Sequence, residues 1–138
     1  MKIFNKRAKF DYELLEKFEA GIVLSGGEAK AVRTGHVNLT GSYAKIIGDE
    51  AYLVNANIPI DGKLNYDPAG SRKLLLHRHE IASILGSIKA KKLTLVPISV
   101  YTTHNLVKVE IALARSKKRF EKKETIKKRD LEREDKGS

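Results

Sequence analysis

Apolar and polar residues alternate most cleanly near residue 110. In Leu106–Ala114, Val107, Val109, Ile111 and Leu113 fall on one side and Lys108 and Glu110 on the other, the pattern of a half-buried strand. Leu93–Tyr101 is a second β-rich run, and Thr102–Asn105 turns the chain between the two. Ser42–Ile47 and Glu50–Ile58 flank Gly48-Asp49, a two-residue hairpin turn. Ile22-Val23-Leu24 reads as a buried strand stopped by Ser25-Gly26-Gly27. Helical spacing of Leu74, Ile81, Ile84, Leu85 and Ile88 predicts a long helix over Leu74–Lys91. A shorter helix is expected from Asp11, a capping residue, through Leu14, Leu15 and Phe18 to Gly21. Glu28–Arg33 is helix-compatible, and Pro59–Gly70, with two prolines and two glycines, is a loop.

Five or six short strands with a helix between strand pairs point to a mainly β fold: an OB-like antiparallel β-barrel with flanking α-helices. Closure removes the exposed edges that a chain of this size could not otherwise protect. After Ala114 the pattern ends. Residues 115–138 hold three large apolar side chains, Phe120, Ile126 and Leu131, too few to offset the entropy of ordering the segment alone. The segment is rich in helix-forming Lys, Arg and Glu and has no proline. The expectation is a barrel domain over 1–114 and a basic C-terminal tail over 115–138, disordered until bound and helical on a partner surface.

Charge says what that surface is. The chain carries +10 in 138 residues, with a pI near 9.8. Residues 115–138 hold 11 Lys and Arg against 6 Asp and Glu, a net of +5, so the barrel carries the other +5. Both parts are therefore basic, and nucleic acid is the first partner to consider. A membrane surface is not expected, because the tail lacks an aliphatic and aromatic face. Without cysteine there is no disulfide or thiolate chemistry. No apolar run has the length of a membrane span or a signal peptide, and a cytoplasmic location fits.

No catalytic motif and no cofactor site emerge, and the chain does not read as an enzyme. His77, His79 and Glu80 lie within the predicted helix, where positions i and i+2 point about 200° apart, too far to share a metal ion. Gly26-Gly27 lacks the further glycines and the Lys-Ser/Thr pair of a phosphate cradle and reads as a tight turn. Glu19, placed at a helix C-terminus where the dipole disfavours an anion, is either a solvated carboxylate or an acceptor for base amino groups and ribose hydroxyls. Of Leu74-Leu75-Leu76, one leucine must lie near the surface. Leu75 is the choice, and beside Arg72 it could pack on an unstacked base.

These residues, taken in order, resemble the small protein B (SmpB) family. The match begins with Asn5-Lys-Arg-Ala8 and Asp11-Tyr12, and continues through Phe18-Glu-Ala-Gly-Ile-Val-Leu24, Gly27-Glu-Ala-Lys-Ala-Val-Arg33, Asn38-Leu39, Ser42-Tyr43 and Leu53-Val-Asn-Ala56. Asp67-Pro68, Arg72-Lys-Leu-Leu-Leu-His77 and Leu93-Thr-Leu-Val-Pro97 are the most distinctive blocks. Val107-Lys-Val-Glu110, Ala114-Arg-Ser-Lys-Lys118 and Lys127-Lys-Arg-Asp130 close it. The resemblance implies an OB-like barrel that binds the tRNA-like domain of tmRNA. With elongation factor Tu, the complex enters a stalled ribosome, and the tail occupies the small-subunit decoding centre and empty mRNA channel. It implies tmRNA-binding roles for Asn5, Glu19, Leu75 and Lys108. It implies decoding-centre roles for Arg115, Lys117, Lys118, Glu121, Lys122 and Lys123, with Phe120 placed to stack on ribosomal bases. The chain departs from the family at Ser116, where glycine is usual, and at Glu121-Lys122-Lys123, where Asp-Lys-Arg is usual. The alternative reading is a ribosomal or assembly protein that binds structured ribosomal RNA generally.

Overall fold

The structure is a computed structural model and describes residues 2–118 and Lys123. Among these, seven strands and three helices occur in the order β1 (Lys2–Phe4), α1 (Ala8–Asp11), β2 (Tyr12–Ile22), α2 (Gly26–Arg33), β3 (Tyr43–Ile47), β4 (Glu50–Val54), β5 (Arg72–Leu75), α3 (Arg78–Lys91), β6 (Thr94–Thr103) and β7 (Leu106–Ser116). Every strand pairing is antiparallel. The sheet order β6-β3-β4-β5-β2-β7 returns to β6, so six strands close a barrel and β1 adds to the free stretch of β6. Leu39, Leu53, Ile58, Leu74, Ile84, Leu95, Val109, Ile111 and Leu113 fill it. The expected inward set on β7 is buried from Val109 onward, while Val107 is partly covered.

The helix expected after Asp11 is a strand instead. Asp11 closes the four-residue α1, and the eleven residues of β2 pair along β7. A register shift between Leu14 and Glu16 interrupts the period of two and leaves Leu15 half-exposed. The bulge lets two adjacent leucines, Leu14 and Leu15, precede Phe18, a spacing that also fits a helix face, although Phe18, Ala20 and Ile22 alternate as a strand should. The long helix also begins later than expected. Leu74 and Leu75 belong to β5, and α3 starts at Arg78 after an extended His77, whose N–H donates to Glu80 Oε1 at 3.0 Å. Gly26-Gly27 is the first turn of α2 rather than a separate turn. Ser25 caps it, with Glu28 N–H on Ser25 Oγ at 3.2 Å and Ser25 N–H on Glu28 Oε1 at 3.0 Å. A Cβ at Gly27 would stand 3.0 Å from Ile60 Cδ1, so the Ile60 side chain packs closely against this turn. The strand expected to reach Ile58 stops at Val54, because Asn55 turns the chain with φ +64°.

Arg72, expected near the surface beside Leu75, is buried. Its Nε donates to Glu28 Oε2 at 2.8 Å and its NH1 to Ala56 O at 2.6 Å. Its NH2 donates to Tyr66 Oη at 2.9 Å and to Pro68 O at 2.8 Å. Tyr66 in turn donates to Ile58 O at 2.6 Å. One guanidinium thus joins α2, the Pro59–Gly70 loop and the start of β5. Burial raises the Glu28 carboxyl, but the Ser25 N–H and the Arg72 cation outweigh it and hold the group below the usual carboxylate range.

Arg72→Met is expected to cost about 3–5 kcal/mol in urea unfolding, because it leaves Glu28 and three acceptors without their donor. Glu28 ionises more readily folded than unfolded. Its contribution is therefore present above the ordinary carboxylate pKa and is lost as pH falls through the depressed folded value. Unfolding midpoints measured against pH should show a shallower acid limb in Glu28→Gln than in the unaltered chain.

Candidate nucleic-acid interface

Cross-strand register builds one outer face. Leu75 pairs with Gly21, Gly21 with Lys108, Lys108 with Tyr101, and Tyr101 with Lys2. Directly opposed residues project to the same side of a sheet, so these positions form a row across five strands. With strands about 4.8 Å apart, the row spans about 19 Å from Leu75 to Lys2. A second row runs Glu19, Glu110, Ser99, Phe4. Glu19 precedes Gly21 by two residues and so shares its face.

Gly21 decides where Leu75 lies. A Cβ there would meet Leu75 Cβ at 3.3 Å and Cδ1 at 3.4 Å, so the missing side chain gives the leucine room to lie against the β2 backbone. Leu75 remains 54% exposed, too open to be a core residue. The Tyr101 hydroxyl donates to the Glu19 carboxylate across β7. Burial, followed by this bond and the Glu19 charge, with a smaller share from Glu110, pushes the Tyr101 phenol up to about 12. Glu19 and Glu110 stand directly opposite, an unfavourable pairing of like charges that the Tyr101 hydroxyl partly relieves. Lys108 has no hydrogen bond or ion pair among the described residues, and its ammonium remains available. The face therefore combines the cations of Lys108 and Lys2, the paired carboxylates of Glu19 and Glu110, an apolar knob and an aromatic edge.

The family profile described as SmpB protein matches residues 2–137. The chain belongs to the SmpB family. SmpB relatives include the SsrA-binding protein of Chloroflexus aggregans, 49% identical over 134 residues and covering 94% of this chain and 85% of that protein. Another is the SsrA-binding protein of a Sulfurihydrogenibium species, 48% identical over 133 residues, covering 94% and 88%. A solved chain described as "tmRNA-SmpB: a journey to the center of the bacterial ribosome" superposes with a TM-score of 0.71 at 46% identity, covering 86% of this chain and 85% of that one.

Of the four barrel residues that the SmpB resemblance singles out, the structure brings Glu19, Leu75 and Lys108 onto one face. Glu19 reaches it from a strand, so the helix-dipole argument for its oddity does not apply. Asn5 is placed apart from them. Its Nδ2 donates to Pro97 O at 3.0 Å, its Oδ1 accepts from Arg7 N–H at 3.3 Å, and it lines a cleft with Asp11, Tyr12, Ser42 and Tyr43. Arg115 lies on β7, with its NH2 2.5 Å from Glu13 Oε2. Lys117 Nζ donates to Lys9 O at 2.7 Å, and its backbone N–H to Asp11 O at 2.9 Å. Lys118 and Lys123 are exposed. Phe120, Glu121 and Lys122, and the tail's expected disorder, lie outside the described residues.

Sequence reading missed Tyr101, Lys2 and Phe4 on this face. The alternation of Lys2-Ile3-Phe4 was the available signal, but three residues are too few to declare a strand. The rings of His77 and His79 stack, with centroids 5.4 Å apart and planes at 10°, rather than diverging. His77 is extended, so helical angles do not govern it. No group of three metal-ligating side chains occurs among the described residues, nor any helix long and apolar enough to cross a membrane.

The Tyr101–Glu19 bond is directly testable. In a pH titration of phenolate absorbance or tyrosine ring resonances, Tyr101 should ionise near pH 12. Glu19→Gln should move that step part of the way back toward about 10, because the carboxylate's charge goes while burial stays.

Proposed function

We propose that this chain binds the tRNA-like domain of tmRNA through the outer face of β5, β2, β7 and β6 and brings it to stalled ribosomes, permitting trans-translation. The observation that carries the reading is the convergence of Leu75, Glu19 and Lys108 on one face in a member of a family whose relatives are SsrA-binding proteins. Lys108 supplies a charge for phosphate. Glu19, already accepting one hydroxyl proton from Tyr101, has the chemistry to accept from a ribose 2′-OH or a base amino group. Leu75 offers an apolar surface to an unstacked base. Asn5 contributes from the neighbouring cleft, through the amide hydrogen and lone pair its internal bonds leave over.

The tail, from Arg115 on, takes the place of codon–anticodon pairing in the decoding centre of the small subunit and continues into the empty mRNA channel. Lys118, Lys122 and Lys123 meet phosphates there, Arg115 and Lys117, held on the barrel by Glu13 and Lys9 O, add their charge where the tail begins, Glu121 accepts hydrogen bonds, and Phe120 stacks on a base. Counterion release offsets the entropy of ordering this segment. Elongation factor Tu takes part through the RNA complex. The protein's own work is non-covalent and takes place in the cytoplasm.

Glu19→Ala should weaken binding to the tRNA-like domain by about tenfold although it makes the protein more positive, as loss of a charged hydrogen bond predicts and loss of a mere polycation does not. Lys108→Ala should lower the slope of log affinity against log salt by about one. A chain ending at Lys118, which keeps the Arg115–Glu13 pair and the Lys117 contacts, should retain RNA binding but lose peptide tagging. Loss of RNA binding in that truncated chain would overturn the division of labour. Sequencing the co-purifying RNA separates the readings further: one dominant tRNA-like species is expected, whereas bulk ribosomal RNA would favour the general ribosomal-RNA binder.

A further inference from the structure

Phe4 is a large apolar group that the proposed RNA face leaves unused. It ends β1, opposite Ser99, and is 58% exposed. Ile3, its neighbour, packs against the core, so the fold has no evident need for a phenyl ring at Phe4. The ring continues the row Glu19, Glu110, Ser99, about 14 Å from Glu19 at three strand spacings. Lys2 Nζ lies 5.3 Å from the Phe4 ring centre and 5.4 Å from that of Tyr101, so one ammonium is held between two rings on the same surface. On the other side, a cleft of about 450 Å³ opens between β1 and residues 37–40, bordered by Phe4, Lys6, Asn38 and Thr40. That volume lies within the range of small-molecule sites, which a nucleobase requires.

An exposed aromatic ring, flanked by lysines and beside a base-sized cleft, is the arrangement by which proteins hold unstacked nucleotides. We propose that Phe4 is a stacking platform for one unpaired base of the RNA that Glu19, Leu75 and Lys108 hold, with Lys2 and Lys6 beside its phosphates. The assignment rests on the function proposed above. Charge favours RNA as the occupant, since Lys2 lies over the ring, Lys6 lines the cleft, and none of the residues lining the cleft is acidic. Asn38, whose Oδ1 accepts the Thr40 N–H at 2.9 Å, also lines this cleft.

The chain has no tryptophan, so Phe4→Trp introduces a single indole. With a transcript of the tRNA-like domain as the probe, Phe4→Trp should bind as the unaltered chain does, and its fluorescence should be quenched as the RNA saturates. Phe4→Ala and Phe4→Leu should each bind about tenfold more weakly, since base–aromatic stacking needs a flat face. Unchanged affinity in Phe4→Ala, equal binding by Phe4→Leu, or an indole whose emission ignores saturating RNA would overturn the platform. If Glu19→Ala and Lys108→Ala weaken binding in the same assay while the Phe4 variants do not, the platform fails and the RNA face stands. If none of them weakens binding, the RNA face itself fails.

Discussion

The Arg72 guanidinium meets Glu28, Ala56 O, Tyr66 Oη and Pro68 O, and these contacts pin the first residue of β5 inside the protein. A four-residue strand has little register information of its own. Side chains alternate with a period of two, so a slip by one residue would bury Lys73 and Leu75 and expose Leu74. With Arg72 and Leu74 buried, Leu75 must face outward, where it lies over Gly21. A buried cation is costly unless its donors are satisfied, and here a carboxylate, a phenol and two carbonyls do so. The interaction that organises the loop over residues 55–70 also decides which leucine the outer face displays.

That face is not uniformly positive, although the chain is. Glu19 and Glu110 lie opposite each other, with Ser99 across from Glu110 on β6 and Lys108 two residues along β7 from Glu110, and the Tyr101 hydroxyl bridges to Glu19. A purely basic surface attracts any phosphate and selects none. In the proposed complex, two carboxylates on such a surface disfavour a misplaced phosphate and can accept hydrogen bonds from ribose hydroxyls and base amino groups, which phosphates cannot supply. Like charges set face to face reduce the stability of the sheet, a cost more readily understood where the surface has a partner to select.

Much of this was legible in sequence, and the failures have identifiable causes. β6 and β7 are long and continuous, the β3–β4 turn carries Gly48-Asp49, and both elements appeared where expected. β2 did not, because its bulge between Leu14 and Glu16 breaks the alternation that identifies a strand. The Leu74-Leu75-Leu76 run merged into α3 because a short strand followed by a helix shows one apolar stretch, and no glycine or proline marks the boundary. Glu19 and Leu75 drew attention for reasons that the strands replace: neither sits on a helix. Arg72 was misplaced because its partners are 44 residues away at Glu28 and 16 residues away at Ala56, and no local pattern encodes such pairs. Tyr101 and Phe4 became parts of one surface only through the β1–β6 pairing, which is likewise non-local.

β7 relates the barrel's face to the segment that follows it. Lys108 and Ser116 are eight residues apart on one strand, about 27 Å at strand rise. β2 pairs with β7 from Lys108 to Ser116, and β6 pairs with it from Leu106 to Ala114, so the spacing is held on both edges. Arg115 on Glu13 and Lys117 on Asp11 O and Lys9 O then secure the last residues to the corner between α1 and β2. A flexible connection would let the start of the tail wander relative to the proposed RNA face. A strand paired on both sides sets that separation in the free protein. In the proposed mechanism, a tRNA-like body and a decoding centre lie at a fixed distance within the ribosome. Such a fixed spacing lowers the ordering cost of the second encounter once the first has formed.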